Sequence, residues 1–404
     1  MRSQLLHRIS IGAAALTLLA GSAVAAQSEL DLPIDTRFPD EIGPTLLTAV
    51  ITSDLDDPSI NARVEKAVRE YHVDPLGGRA KAPPDPSKDN KKNLGGILVR
   101  SAQENSAAAA DDLLDVLGEY QPNLIVISGG DGQLNASNAR AADNAIIVDL
   151  SQPRPCVTLA GQPDPSGECR GSASAVPFNY TAVEFAVEDA AFLAGVVAAR
   201  LSKGSLGVIS GYEGCPECER YVTGFVNGAR SVEPEIEIVS AYLADSEIAG
   251  FGDATSARTF TEAFIKIHQP EVILPVGRAA TPGMIEAACE AGINVVGATG
   301  FDLNDARNSW DECVMASVTK DLERSITDAM YLFAEGQNRP VTTYDLANGG
   351  VALSDDWIGI PTLPVDTDEL YQEADRLLRG GEIEACPEGC GGAVVLPQGP
   401  SDSQ

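Results

Sequence analysis

The stretch 188–228, EDAAFLAGVVAARLSKGSLGVISGYEGCPECERYVTGFVNG, constrains the fold more than any other part of the chain. Phe192, Leu193, Val196 and Val197 recur at helical spacing and predict a first helix with one buried face. Arg200 and Lys203 suit the C-terminal end of that helix, and Gly204 supplies a common exit residue. Residues 206–210, LGVIS, are a short apolar run of strand length. Tyr221, Phe225 and Ala229 then fall four apart and predict the core stripe of a second helix. A strand placed between two helices in this way is buried in a parallel sheet whose faces the helices cover.

The same alternation extends in both directions. Upstream, residues 46–52 form a near-continuous apolar strand that ends in the acidic loop SDLDDPS, in which Ser59 is a good N-cap. Ile60, Val64, Val68 and Tyr71 stripe the following helix, which runs to about His72. Further strands are predicted at 97–102, 124–128 and 145–149, with a helix carrying Leu113, Leu114, Val116, Leu117 and Tyr120, and another near 138–142. A second set follows, with strands at 176–185, 206–210, 236–243, 272–276, 294–297, 314–319 and near 350–353, and late helices at 321–335 and 366–378. The pattern predicts an α/β protein of two doubly wound parallel-sheet lobes joined by several crossings. The division read from it is an N-terminal lobe of 40–170 plus about 299–316, a C-terminal lobe of 176–298 plus about 317–390, and a polar tail of 391–404. Residues 75–94, with Lys88, Lys91 and Lys92 clustered, read as a solvated insertion, and 151–175 as a Pro/Gly/Ser-rich crossover.

Residues 1–26 read as a cleavable signal peptide. Arg2 and Arg8 supply a positive start, 9–20 is a short apolar stretch, and Ala23-Val24-Ala25 is a small-x-small cleavage site. That stretch is too short for a membrane span, and no other run approaches the length of one. Leu19-Ala20-Gly21-Ser22 resembles a bacterial lipobox with Ser22 in place of the cysteine that lipidation needs. A free periplasmic or extracellular protein is expected, without a direct membrane span. The formal charge of −31 disfavours nucleic acid and anionic lipid as partners. The eight cysteines suit an oxidising compartment and fall in close pairs: Cys156 with Cys169, Cys215 with Cys218, Cys289 with Cys313, and Cys386 with Cys390.

Signals for catalysis are sparse. Gly130-Asp131-Gly132 follows a strand, but Asn135 stands where a dinucleotide loop needs its third glycine, so a tight turn is the better reading. There is no P-loop, no G-x-S-x-G and no H-E-x-x-H, and the histidines are only His7, His72 and His268. No enzyme, cofactor or metal is expected. The sharpest rival signal is Cys215-Pro216-Glu217-Cys218, which as a low-pKa CxxC would make the protein an exported thiol–disulfide oxidoreductase. What remains is a set of polar residues at the carboxyl ends of strands: Asp54, Asn61, Asp131, Asp149, Tyr212, Gly277, Asp302 and Lys320. Ligands of open α/β sheets bind in the crevice beyond those ends, and two facing lobes would enclose one cleft.

On these residues the chain resembles the basic membrane protein family, substrate-binding proteins of ABC transporters that include purine nucleoside receptors. The matching pieces are DDPSIN (56–61), LIVISGG (124–130), AIIVD (145–149), EDAAFLAGVVAA (188–199), LGVISG, GFVNGAR (224–230), FGD (251–253), the glycine loop after Leu274, SVTK (317–320) and GEI near the C-terminus. The resemblance implies a type I periplasmic binding-protein fold, acting as a monomer, that closes on a nucleoside-like small molecule and delivers it to an ABC permease. It implies hydrogen bonds from Asp54, Asn61 and Asp149, stacking by Phe251, close backbone approach at Gly277 and a donor to the sugar at Lys320, with Tyr212 and Asp302 beside them. A ligand sensor of the same fold is the alternative within this reading. This sequence departs from the family in three places. Ile60 replaces the aromatic of S-F-N, Thr299 stands where the first Asp of G-V-D-x-D-Q belongs, and the CPEC loop lies where a second-lobe loop would enter the cleft.

Overall fold

In a computed structural model, the residues described are 47–53, 60, 62–64, 66–68, 96–102, 113, 116, 122, 124–128, 146–150, 179–298, 313–334, 341–354 and 363–387. All of them fall in one compact unit, Thr36–Gln404. Among the described residues, twelve strands form two sheets. The first contains β1 (Leu47–Ser53), β2 (Gly96–Ala102), β3 (Leu124–Ile127), β4 (Ile146–Asp149), β5 (Tyr180–Phe185) and β11 (Val341–Tyr344) in the order β11-β5-β4-β3-β1-β2. The second contains β6 (Ser205–Tyr212), β7 (Glu237–Ala244), β8 (Val272–Val276), β9 (Asn294–Gly297), β10 (Val314–Lys320) and β12 (Val351–Leu353) in the order β12-β10-β9-β8-β6-β7. Among the described residues, the pairings are parallel except that of β10 with β12. Both sheets are doubly wound, with strand order reversing between β1 and β3 and between β6 and β8.

The second sheet illustrates why continuous apolar runs make buried strands. Leu206, Val208, Val272, Leu274 and Val276 face one core, and Ile209, Ile273, Val295 and Val314 face another. Successive side chains point to opposite faces, so a strand covered on both sides must be apolar at every position. Helices α1 (Val187–Leu201) and α2 (Pro216–Val232) cover the first face, while α4 (Ala254–His268) and α5 (Thr281–Glu290) cover the other, with the short α3 (Glu247–Phe251) before α4. The first-face core is continuous with Val50, Leu124, Val126 and Val148 of the other sheet. Helix α6 (Leu322–Ala334) follows β10 and packs against β4, and α7 (Thr367–Arg379) packs against α1.

Three expectations are corrected. The spacing predicts one buried face for α1, but residues from Val187 to Ala199 are buried almost throughout, because α1 lies between α2, α7, β10 and β12. The strand predicted at 176–185 as the opening of the second lobe is β5 of the first sheet, paired with β4 and β11. The chain crosses between sheets at Ala186, a single residue between β5 and α1, so a long crossover is not required there. Likewise all of β10, including 314–316, belongs to the second sheet, and β11 returns to the first.

Candidate functional site

The carboxyl ends of both sheets meet around one cavity. From the first lobe come Ile60, Ser128 after β3, Leu150 after β4 and Phe185 at the end of β5. From the second come Glu217, Cys218 and Tyr221 of α2, Val276 to Arg278 and Thr281 after β8, Ala298 after β9, and Lys320 and Leu322 at the end of β10. Glu217 and Arg278 thus follow the two strands, β6 and β8, that flank the reversal point of the second sheet. Doubly wound sheets bind ligands at that point. The walls leave a cavity of about 60 Å³.

Helix α2 enters this cavity through the CxxC segment. Cys215 and Cys218 form a disulfide with Cα atoms 5.2 Å apart, and the Cys218 N–H donates to Cys215 Sγ at 3.2 Å as an N-cap. Pro216 occupies the first turn, where its missing N–H is of no consequence. The two half-cystines are 2% and 3% exposed, and Cys218 itself lines the cavity. This is a closed staple inside the cleft wall, not an accessible redox pair at a rim.

Glu217, held between the two cysteines, projects into the centre of the site. Its Oε1 accepts from Lys320 Nζ, and its Oε2 lies 3.5 Å from the Arg278 guanidinium. Burial tends to raise the carboxyl pKa, but Lys320 and then Arg278 overcome it and hold Glu217 at about 2. Lys320 Nζ also lies 5.6 Å from the Phe185 ring centroid and 5.7 Å from that of Tyr221. Arg278 adopts φ 47, a left-handed backbone uncommon outside glycine, immediately after Gly277. Its guanidinium sits 4.7 Å over the Phe251 ring and 3.9 Å from Glu247. Behind Lys320, Arg63 of the first lobe donates to the Lys320 carbonyl at 2.9 Å and forks onto Glu323 at 2.7 and 3.0 Å.

Among the residues singled out from the sequence, the structure brings Gly277 and Lys320 to the cavity wall. Asp149 is fully buried and accepts from the Tyr180 hydroxyl at 2.7 Å. Phe251 is also fully buried. One face packs so closely on Gly211 that a Cβ there would come within 2.1 Å of the ring, and Arg278 covers it from the cavity side. Tyr212 is half-buried and meets Phe251 edge-on at 5.4 Å. In this arrangement neither Phe251, Tyr212 nor Asp149 lines the cavity. Asp54, Asn61, Asp131, Thr299 and Asp302 lie outside the described residues, as do Cys156, Cys169 and Cys390. Cys289 is bonded to Cys313 and Cys386 is disulfide-bonded. Sequence reasoning missed Glu217 and Arg278. The available signal was a charged residue inside the CPEC turn and another directly after a strand-end glycine.

Among the described residues no helix is long and apolar enough to cross a membrane. The fold is shared with a solute-binding protein of an ABC transporter system from Aeropyrum pernix K1, with a TM-score of 0.60 and 17% identity over 87% of this chain and 94% of that one. The architecture is that of a type I periplasmic binding protein. Basic membrane protein B of Borreliella burgdorferi is 29% identical over 192 residues, 46% of this chain and 51% of that protein. The transcriptional activator protein med of Bacillus subtilis is 26% identical over 253 residues, 60% of this chain and 74% of its own. The chain spans about half the length of the first curated relatives it matches. Residues 168–378, just over half of the chain, match the model of the PnrA-like ABC transporter substrate-binding proteins, and the chain belongs to that Bmp family.

Proposed function

We propose that the protein is a non-catalytic solute receptor that captures a nucleoside in the cleft between its sheets and delivers it to the permease of an ABC importer, outside the cytoplasmic membrane. The observation that carries this reading is a cavity lined by strand ends of both sheets, with Lys320 Nζ 5.6 Å from the Phe185 ring centroid and 5.7 Å from that of Tyr221. Rings offer a base flat apolar surface with little demand on its identity, and a charged donor suits ribose hydroxyls. Capture proceeds by a hinge motion in which the lobes part and close again around the ligand. The chain crossings between the sheets, at Ala186 and on either side of β11, are where such a hinge belongs.

Calorimetry of the mature protein against purine and pyrimidine nucleosides tests the proposal. At least one should bind, and Lys320→Ala should weaken it tenfold or more, about 1.4 kcal/mol. Silence across the panel removes the nucleoside, and undiminished affinity in the variant removes Lys320 from the site.

A further inference from the structure

We propose that Glu217 sets the charge specificity of the cleft, admitting uncharged hydroxyl-bearing ligands and excluding anionic ones. The inference rests on the reading of this cleft as the ligand site, and goes beyond it in naming which residue selects and against what.

Three observations support it. First, the cations that line the cavity are already paired: Lys320 with Glu217, and Arg278 with Glu217 and Glu247. A site meant for phosphate or carboxylate would leave such cations for the ligand; here a protein carboxylate already occupies their common side. Secondly, Glu217 is fixed from behind. It lies in the first turn of α2, flanked by two disulfide-linked cysteines that are themselves buried, so the backbone cannot carry it out of the cleft without moving the staple. Thirdly, the donor and acceptor inventory is selective. Lys320 can only donate and ionised Glu217 can only accept, so a group inserted between them must do both. A hydroxyl does. An ionised carboxylate presents acceptors alone, and hydrogenphosphate keeps a P–OH but, like the carboxylate, sets its negative charge against Glu217 while satisfying Lys320.

The test compares wild type with Glu217→Gln by calorimetry, using inosine and inorganic phosphate as probes. Wild type should ignore phosphate at millimolar concentration. E217Q retains the shape but removes the charge, and should gain at least tenfold in phosphate affinity while losing at least tenfold for inosine. E217D, which keeps the charge, should still refuse phosphate. The paired variant E217Q/K320Q removes both charges together, which folds tolerate better than one unpaired buried ion, and it too should refuse phosphate. Phosphate binding by wild type, or phosphate affinity unchanged in E217Q, overturns the proposal; so does phosphate binding by the paired variant at the strength of E217Q. If E217Q does not fold, the wild-type and paired-variant phosphate results decide. Failure of inosine and every other nucleoside to bind wild type would remove the nucleoside reading alone, because the phosphate measurements decide the charge rule independently.

Discussion

Gly228→Ala sets two opposed effects against each other. Alanine is the better helix former by about 1 kcal/mol in a helix interior, so propensity alone predicts stabilisation. The packing predicts the reverse. Helices α1 and α2 cross with glycines at the contact, and a Cβ at Gly228 would fall 1.9 Å from the Phe192 carbonyl oxygen and 2.6 Å from its carbon. The obstacle is backbone of a buried helix, so no side-chain rotation relieves it. The helices would have to separate by at least about 1 Å in an interior packed as densely as an organic crystal. Overpacking of this kind costs about 1–3 kcal/mol, occasionally more, and the neighbouring contacts of Gly195 on the Phe225 carbonyl and Gly224 on the Glu188 carbonyl would be loosened together. The expected net loss is about 1 kcal/mol, read as a lower midpoint of urea unfolding at an unchanged slope by circular dichroism. The same separation would shift Glu217, Cys218 and Tyr221, all on α2, so ligand affinity should fall as well. A midpoint that rises, as propensity alone would have it, would refute the close-packed crossing.

The remaining predictions concern the Cys289–Cys313 disulfide and a buried acid. Replacing Cys289 and Cys313 together by serine opens a loop of sequence separation 24 and should cost about 3.5 kcal/mol by the loop-entropy relation; a melting temperature equal to wild type under oxidising conditions would contradict it. Asp189, at the N-terminal turn of α1, is pushed up to about 7, chiefly by burial and then by Glu188 and Asp345, with Arg220 opposing. Its folded form therefore holds a proton that the unfolded chain releases near pH 4, so stability should fall as pH rises from about 4 to 7 and stay reduced above. Asp189→Asn should leave melting at pH 4 unchanged and raise it at pH 8; equal shifts at both would rule the titration out. Glu217 titrates below this window, since its pKa is depressed to about 2, and its contribution is lost only as pH falls below about 4.5.

The elements were legible where the chemistry is local. Residues 272–276 read as a strand because an unbroken apolar run has no other use at that length, and β8 spans the same residues. Strand β11, Val341–Tyr344, was not found: it is four residues long, carries two threonines, and is partly exposed except at Tyr344. Only its pairing with β5 makes it a strand, and pairing is a long-range fact. The same holds for the sheet to which β5 belongs. Its sequence is equally suited to either lobe, and what assigns it is a neighbour far away in the chain.

The site divides along similar lines. Lys320 and Gly277 stood out because they end strands, and strand ends are where a doubly wound sheet presents its ligand loops. Phe251 was given a stacking role by resemblance, and its type agrees with that. Whether the ring faces a cavity, however, depends on Gly211 receiving one side of it and on the left-handed turn at Arg278 laying a guanidinium across the other. Glu217 shows the limit most directly. A single glutamate between two cysteines has no periodicity to mark it, and CPEC draws attention to its sulfurs. Their part is to close the first turn of α2 against the sheet. Given that closure, Glu217 can only meet the two cations that end β10 and follow β8, and the thiol motif becomes the mount for a carboxylate.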